Sequence, residues 1–104
     1  TEFVDIIGVN PVNVMVNEDD AEWISRRFAD EGVDCVLFIN GNFGNEEAAG
    51  QIAYKLKLPT LLWGPQDMEF DPSGVRYTDT QCGLFAISKQ LRRLKVPFSY
   101  IEIV

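Results

Sequence analysis

The amino-acid sequence predicts a parallel α/β fold, in which helices pack against the strands of one sheet. Two short apolar runs, CVLFI at residues 35–39 and TLLW at residues 60–63, are typical of strands buried on both faces. Stripes of apolar residues three to four positions apart lie between and after these runs, as in helices that bury one side. Alternating strands and helices with short links favour parallel strands joined by right-handed crossovers.

The first half of the chain is predicted to form two strands and two helices in alternation. Residues 3–9 are predicted as a strand, and a helix begins after Asn17 and closes at Gly32. The strand at residues 35–39 follows, and Asn45 caps the next helix. The apolar stripe of that helix consists of Ala48, Ala49, Ile52, Ala53 and Leu56.

The second half repeats the alternation. The strand at residues 60–63 stops at Gly64 and Pro65, and Pro97 ends the helix that follows a longer loop. The apolar stripe of that helix consists of Leu84, Ile87, Leu91 and Leu94. Residues 98–104 are predicted as the last strand. The order β-α-β-α-β-α-β is a doubly wound, flavodoxin-like pattern, and residues 1–104 form a single α/β domain or a fragment of one.

Charge and composition exclude several classes of function. Nine basic against sixteen acidic residues give a net charge of -7, which repels nucleic acid and anionic membranes. No apolar run approaches the ~20 residues that span a bilayer. Cys35 and Cys82 lack the spacing of a zinc site, so we expect two buried, reduced thiols in a cytoplasmic protein.

The loops after Ile39 and Trp63 are the first place to expect a site, because ligands bind beyond the carboxyl ends of parallel strands. The first loop reads NGNFGNEE, and its amides, carbonyls and single aromatic suit a neutral polyol such as a sugar. Glu46 and Glu47 would repel a phosphate, and neither GxGxxG nor a Walker motif is present. The alternative interpretation is a plain turn with a helix cap.

A second group of hydrogen-bonding residues occupies positions 76–82, RYTDTQC, and favours a site or an interface. The alternative is that Asp79 or Thr80 caps the following helix while Arg76 pairs with a carboxylate. Trp63 could likewise be core, Gln66 a solvated loop residue, and Asp67 a cap or turn former with no ligand. The chain contains no histidine, no nucleophile beside a base and no metal-ligand spacing, so we expect neither catalytic nor metal-binding residues in it.

Three stretches resemble the amino-terminal region of the L-fucose/L-arabinose isomerase superfamily, especially its fucose-isomerase-like members. They read VDCVLFINGNFGNEEAAGQIAYKL, LPTLLWGPQD and GVRYTDTQCGLFAISKQLRRLKVPFSYIE. Together they cover most residues from 33 to 102, whereas residues 1–32 match only in organisation. That family's domain begins with one more strand and helix than this chain supplies. The resemblance therefore implies an incomplete domain, a fragment of a longer protein, with an unpaired sheet edge that favours dimerisation in isolation.

The resemblance implies a function in carbohydrate metabolism. Aldose-ketose isomerases of this type use a divalent cation, commonly Mn²⁺, to polarise sugar oxygens while carboxylates move protons. The family's metal ligands lie in later domains, so we expect no cofactor in this chain and no activity from it alone. The expected partners are the remaining domains of the parent chain, further copies in a homo-oligomer, and a small sugar.

The resemblance also implies site residues. In arabinose isomerases the loops matching residues 40–46 and 63–67 carry an aromatic residue and a glutamine that face the sugar of a neighbouring subunit. Phe43 and Gln66 resemble these residues, but Asn-Gly-Asn replaces a histidine and a threonine, which leaves the substrate open. The expected substrate-binding residues, contributed in trans, are Phe43, Gln66, Asn42, Trp63, Asp67, Arg76 and Asp79.

Two alternatives to an isomerase segment stay open at this point. The first is a non-catalytic sugar- or metabolite-binding module whose site contains Phe43, Gln66, Asp67 and Arg76. The second is an interaction domain whose polar loops form an interface.

Overall fold

The computed structural model describes residues 2–40, 45–65, 72–74 and 80–101. Its elements are α1 (Glu18–Glu31), β1 (Val36–Ile39), α2 (Glu46–Leu56), β2 (Thr60–Trp63), α3 (Thr80–Arg93) and β3 (Ser99–Tyr100). The strands form one parallel sheet in the order β1-β2-β3. The predicted α/β class with a parallel sheet is confirmed, and the small sheet is consistent with an incomplete domain.

Helix α1 begins and ends at the residues that its local chemistry predicts. The Asn17 side chain accepts a hydrogen bond from the Asp20 N–H at 3.0 Å, and the Asp20 carboxylate accepts one from the Asn17 N–H at 3.2 Å. This reciprocal capping box satisfies backbone donors that the first turn leaves unpaired. At the other end Gly32 adopts φ 64°, a left-handed conformation that glycine enters without steric cost.

The helices pack against one face of the sheet in a single layer with α2 in the middle. One core cluster joins α2, β2 and α3 and consists of Ala49, Ala53, Leu62, Ile87 and Leu91. A second joins α1 to α2 and consists of Ala21, Ile24, Ala48 and Ile52. Met15 and Phe38 pack against both clusters, so the two form one continuous core.

The opposite face of the sheet carries apolar side chains that the described helices do not cover. Val36 is buried, whereas Leu37 and Ile39 are 41% and 59% exposed, as expected when successive side chains alternate between faces. The register pairs Leu37 with Leu61 and Ile39 with Trp63, which places these four residues on what we call the open face. The second helix layer of a doubly wound sheet is not among the elements that the structure describes.

The predicted strand at residues 3–9 is wrong. Residues 2–6 have no regular secondary structure, and residues 7–10 form turns. A strand needs a neighbour for its ladder of hydrogen bonds, and this segment pairs with none of the described strands. Ile6 and Val9 instead pack against the cluster between α1 and α2, while Phe3 and Ile7 stay exposed. The apolar pattern is thus used for packing on helices rather than for pairing.

The prediction of two buried thiols is also wrong, because Cys35 and Cys82 are both exposed. Cys35 precedes β1, and Cys82 lies off the buried side of α3, which includes Gly83, Ile87 and Leu91.

Among the described helices, none combines the length and the apolarity that crossing a membrane requires.

The Asp20 carboxylate joins the segment before α1 to the helix and makes the stability of the chain depend on pH. Its Oδ2 accepts hydrogen bonds from the Val16 N–H at 2.8 Å and from the Asn10 amide at 3.0 Å, besides the one from Asn17. The Val16 bond most of all, with those from Asn17 and Asn10, holds the pKa of Asp20 below its ordinary value, although burial opposes them.

We expect this stabilisation to be lost in acid. Because the pKa of Asp20 is lower in the folded state than in the unfolded state, its contribution is complete above the unfolded value of about 4 and disappears as pH falls through the folded value. Asp20→Asn should lower the free energy of unfolding at neutral pH and flatten its dependence on pH below about 4. Urea denaturation over this pH range measures both effects.

Asp19→Asn is the matched control, since it removes a charge from the same helical turn. A pH dependence that is equally flattened in both variants would assign the effect to the helix dipole and not to the hydrogen bonds of Asp20.

Candidate functional site

The carboxyl ends of β1 and β2 lie side by side and are held at the same level. The register pairs Ile39 with Trp63, and the ladder continues one residue further, where the Asn40 N–H donates to the Trp63 carbonyl at 2.8 Å. The chain leaves both strands from this edge, which is where ligands bind in parallel sheets. We call this edge, with Asn40, Asn45, Trp63 to Pro65 and Thr80, the strand-end site.

Asn45 positions the start of α2 at the strand-end site. Its side-chain carbonyl accepts from the Ala48 N–H at 3.0 Å, and its amide nitrogen donates to the Val16 carbonyl at 3.2 Å. The predicted N-cap is confirmed, and the same side chain also ties α2 to the segment before α1. Both ends of the Asn45 amide are therefore used in the fold and not left for a ligand.

The end of β2 is held against the start of α3. The Thr80 hydroxyl donates to the Pro65 carbonyl at 2.8 Å. A Cβ atom on Gly64 would lie 3.3 Å from Leu84 Cδ2 and 3.8 Å from Thr80 Cβ. The first distance is shorter than an ordinary van der Waals contact. Glycine at this position lets the start of α3 approach the end of β2 closely.

Asn40 is a buried amide at this edge that lacks a complete set of hydrogen bonds. It is 5% exposed, and within the described part of the chain its Nδ2 has no hydrogen-bond partner. Alternation along β1 places Val36, Phe38 and Asn40 on the helix side of the sheet. A buried polar group left without a partner costs about 1–3 kcal/mol, so its presence in a native fold requires an explanation.

The charges at the strand-end site favour a neutral ligand over an anion at α2. Glu46 and Glu47 occupy the first turn of α2, where their carboxylates already complement the positive end of the helix dipole. The first turn of α3 carries no acidic residue. An anion placed at α2 would meet two negative charges, whereas a hydroxyl would not.

Of the predicted substrate-binding residues, the structure describes only Trp63. It ends β2 at the strand-end site and is half-buried on the open face, so it and Asn40 lie on opposite sides of the sheet. The other predicted residues, Asn42, Phe43, Gln66, Asp67, Arg76 and Asp79, lie outside the described residues and stay predictions.

Asn40 was not predicted as a site residue. The signal that could have revealed it is a polar residue that continues the inward-facing positions of a buried strand, after Val36 and Phe38.

The described residues do not fit a metal centre. Within residues 2–40, 45–65, 72–74 and 80–101, no group of three histidine, cysteine, aspartate or glutamate side chains is placed to hold a metal ion. The whole chain lacks histidine.

Comparison with known protein families shows which family the chain is similar to. Residues 2–104 match the family described as fucose/sulfoquinovose isomerase, N-terminal domain. Comparisons with curated proteins and with solved structures found no match. The match includes the segment before α1 and α1 itself, which the three resembling stretches of sequence did not cover.

Proposed function

Because the chain belongs to the family of fucose/sulfoquinovose isomerase N-terminal domains, we propose that it is the substrate-side domain of a cytoplasmic, metal-dependent aldose-ketose isomerase. The family match over residues 2–104 is the observation that carries this proposal. The strand-end site supports it, because its unpartnered group is the neutral Asn40 amide and because Glu46 and Glu47 in the first turn of α2 disfavour a phosphate.

The role proposed for this domain is to bind and orient the sugar. Phe43 forms a wall against which the sugar stacks, and Gln66 donates a hydrogen bond to a sugar hydroxyl. The other polar and aromatic residues of the proposed binding site are Trp63, Asn42, Asp67, Arg76 and Asp79. In this proposal the divalent cation and the proton-transfer groups belong to the remaining domains of the parent chain.

The domain acts in trans within a homo-oligomer, so that the strand-end site of one copy faces the remaining domains of another. Two consequences follow from this arrangement. The isolated chain forms no ketose, and dissociation of the oligomer abolishes turnover by the full-length protein. Sedimentation of the full-length protein, compared with its activity at each concentration, tests the second consequence.

The direct test is ketose formation by the full-length, Mn²⁺-loaded protein across a panel of aldoses that includes L-fucose and sulfoquinovose. We expect turnover of at least one sugar by the full-length protein and none by residues 1–104 alone. Absence of turnover across the whole panel would contradict the proposed function.

Removing the proposed sugar contacts should weaken binding more than it affects folding. Phe43→Ala and Gln66→Ala in the full-length protein should each raise KM about tenfold, since a lost contact of this kind is worth about 1 kcal/mol or somewhat more. Initial-rate measurements with the preferred aldose give KM and kcat separately.

Tyr54→Ala is the matched control for the aromatic substitution. Tyr54 is an exposed aromatic near the carboxyl end of α2, away from the strand-end site, so its removal should leave KM unchanged. Equal changes in KM for Phe43→Ala and Tyr54→Ala would contradict the proposed role of Phe43.

A non-catalytic sugar-binding module is the second candidate. The observation that favours it is the unpartnered Asn40 amide, which a sugar could engage with this chain alone. Calorimetry of the isolated chain with L-fucose separates the two candidates. A binding module should bind the sugar alone, whereas a site completed in trans should bind it weakly or not at all.

A further inference from the structure

We propose that Asn40 is a sugar-contacting residue whose side-chain amide hydrogen-bonds a hydroxyl group of the bound aldose. The inference rests on the proposed function and adds to it a buried residue at the carboxyl end of β1. Asn40 would then serve to select and position the substrate, without taking part in proton transfer.

The position of Asn40 is the first part of the argument. Its backbone N–H extends the ladder between β1 and β2 by donating to the Trp63 carbonyl at 2.8 Å, so the residue is held at the edge where ligands bind. The register continues from Ile39 and Trp63 to place Gly64 beside Asn40. Gly64 brings no side chain of its own that could hydrogen-bond the amide.

The unsatisfied hydrogen bond is the second part. Asn40 is 5% exposed, and its Nδ2 has no partner among the described residues. Burying an amide without a partner destabilises a protein, and native structures rarely accept this without a ligand, an ion or a water at the site. At the strand-end site, a ligand is the partner that explains why the amide is there.

The chemistry of the amide indicates what that ligand offers. A carboxamide donates through nitrogen and accepts through oxygen, and a hydroxyl group can do both, so a hydroxyl matches either orientation of the side chain. A phosphate or sulfonate oxygen could accept from the nitrogen but could not donate if the amide were reversed, and it would meet the negative charges of Glu46 and Glu47 in the first turn of the neighbouring helix. A neutral hydroxyl of the sugar is therefore the matching group.

Ser25 provides an internal comparison. Its Oγ is the other buried side-chain atom without a partner among the residues that the structure describes. Ser25 lies in the middle of α1, about 10 Å along the helix from the end near the strand-end site. Ser25→Ala should therefore leave sugar kinetics unchanged and keep or raise the melting temperature, as expected when an unsatisfied hydroxyl is removed from a helix.

The experiment compares Asn40→Leu, which fills the space, and Asn40→Ala, which empties it, with Ser25→Ala in the full-length protein. With L-fucose and sulfoquinovose as probes, both Asn40 variants should lower kcat/KM about tenfold, mainly through KM, while the melting temperature of Asn40→Leu stays equal or rises. A series of monodeoxy sugars supplies a second readout. With the wild type, the analogue that lacks the contacted hydroxyl should have a kcat/KM about tenfold below that of the parent sugar. With Asn40→Leu, the same analogue should have nearly the same kcat/KM as the parent sugar, because the two changes remove the same bond.

Three results would overturn the inference. One is a kcat/KM within about twofold of wild type for both Asn40 variants, which would assign the amide to an ordered water only. Another is a loss of kcat/KM that is fully explained by a smaller fraction of folded protein in the Asn40 variants. The third is a monodeoxy series in which, for every analogue, the loss of kcat/KM from the missing hydroxyl adds to the loss from Asn40→Leu.

If the wild-type protein turns over neither sugar, the proposed function fails while the inference is still decided. L-fucose binding measured by calorimetry should then be weaker for Asn40→Leu than for wild type. Equal affinity, or no binding by either protein, would overturn the inference.

Discussion

Replacing Leu62 by alanine is expected to lower the free energy of unfolding by about 2–5 kcal/mol. Leu62 lies in the central strand β2, is 0% exposed, and packs in one cluster with Ala49 and Ala53 of α2 and with Ile87 of α3. Truncation removes apolar contacts with both helices and leaves a cavity that they can fill only in part. A loss of this size is a large share of the total stability of about 5–15 kcal/mol that is usual for a domain.

Leu37→Ala is the matched control, because Leu37 is a leucine of the same sheet that lies on the open face and is 41% exposed. Its truncation in the isolated chain should cost less than about 1 kcal/mol, since little cavity forms. Urea denaturation measures both variants through the midpoint and slope of the transition. Equal losses for the two leucines would show that the core does not lie between the sheet and the helix layer.

Gly50→Val is expected to lower the free energy of unfolding by about 2–3 kcal/mol, because α2 and α3 cross closely at this residue. A Cβ atom added to Gly50 would lie 2.7 Å from Gln90 Cγ and 3.0 Å from Leu94 Cδ1. Valine places two further methyl groups in the same space, so the helices must move apart or Gln90 and Leu94 must leave their packed positions.

Two further substitutions isolate the steric cause. Gly50→Ala should be nearly neutral, because the helix propensity of alanine, worth about 1 kcal/mol over glycine, offsets the milder clash. Lys55→Val places valine at an exposed position of the same helix and should cost about 0.5 kcal/mol or less. A Lys55→Val loss as large as that of Gly50→Val would assign the effect to helix propensity and not to the crossing of α2 and α3.

The features predicted correctly from the sequence are those with local causes. Asn17, Gly32 and Asn45 delimit their helices through hydrogen bonds and dihedral angles that involve residues a few positions away. The predicted strand at residues 3–9 failed because pairing depends on a neighbouring strand, which residue types within the segment do not reveal. The apolar run at residues 35–39 indicated a strand correctly, but its composition did not reveal that Leu37 and Ile39 would stay exposed.

The site predicted from the sequence stays a prediction, because most of its residues lie outside the described part of the chain. The rule that ligands bind at the carboxyl ends of parallel strands indicated the loops after Ile39 and Trp63, and the structure places the ends of both strands side by side. Asn40 was missed because burial and a missing hydrogen bond arise from tertiary packing. Phe43 and Gln66 depend on the resemblance, and the variants proposed above test them.

The hydrogen bonds that hold the strand-end site together also bear on how the proposed sugar specificity could be engineered. The loops after β1 and β2 start from a shared anchor, the bond between the Asn40 N–H and the Trp63 carbonyl, and Thr80 fastens the second loop at its far end to Pro65. Because one hydrogen bond joins the residues from which both loops start, we expect substitutions in the two loops to show epistasis. Directed evolution of this domain should randomise both loops in one library, because the best residues in each depend on those in the other.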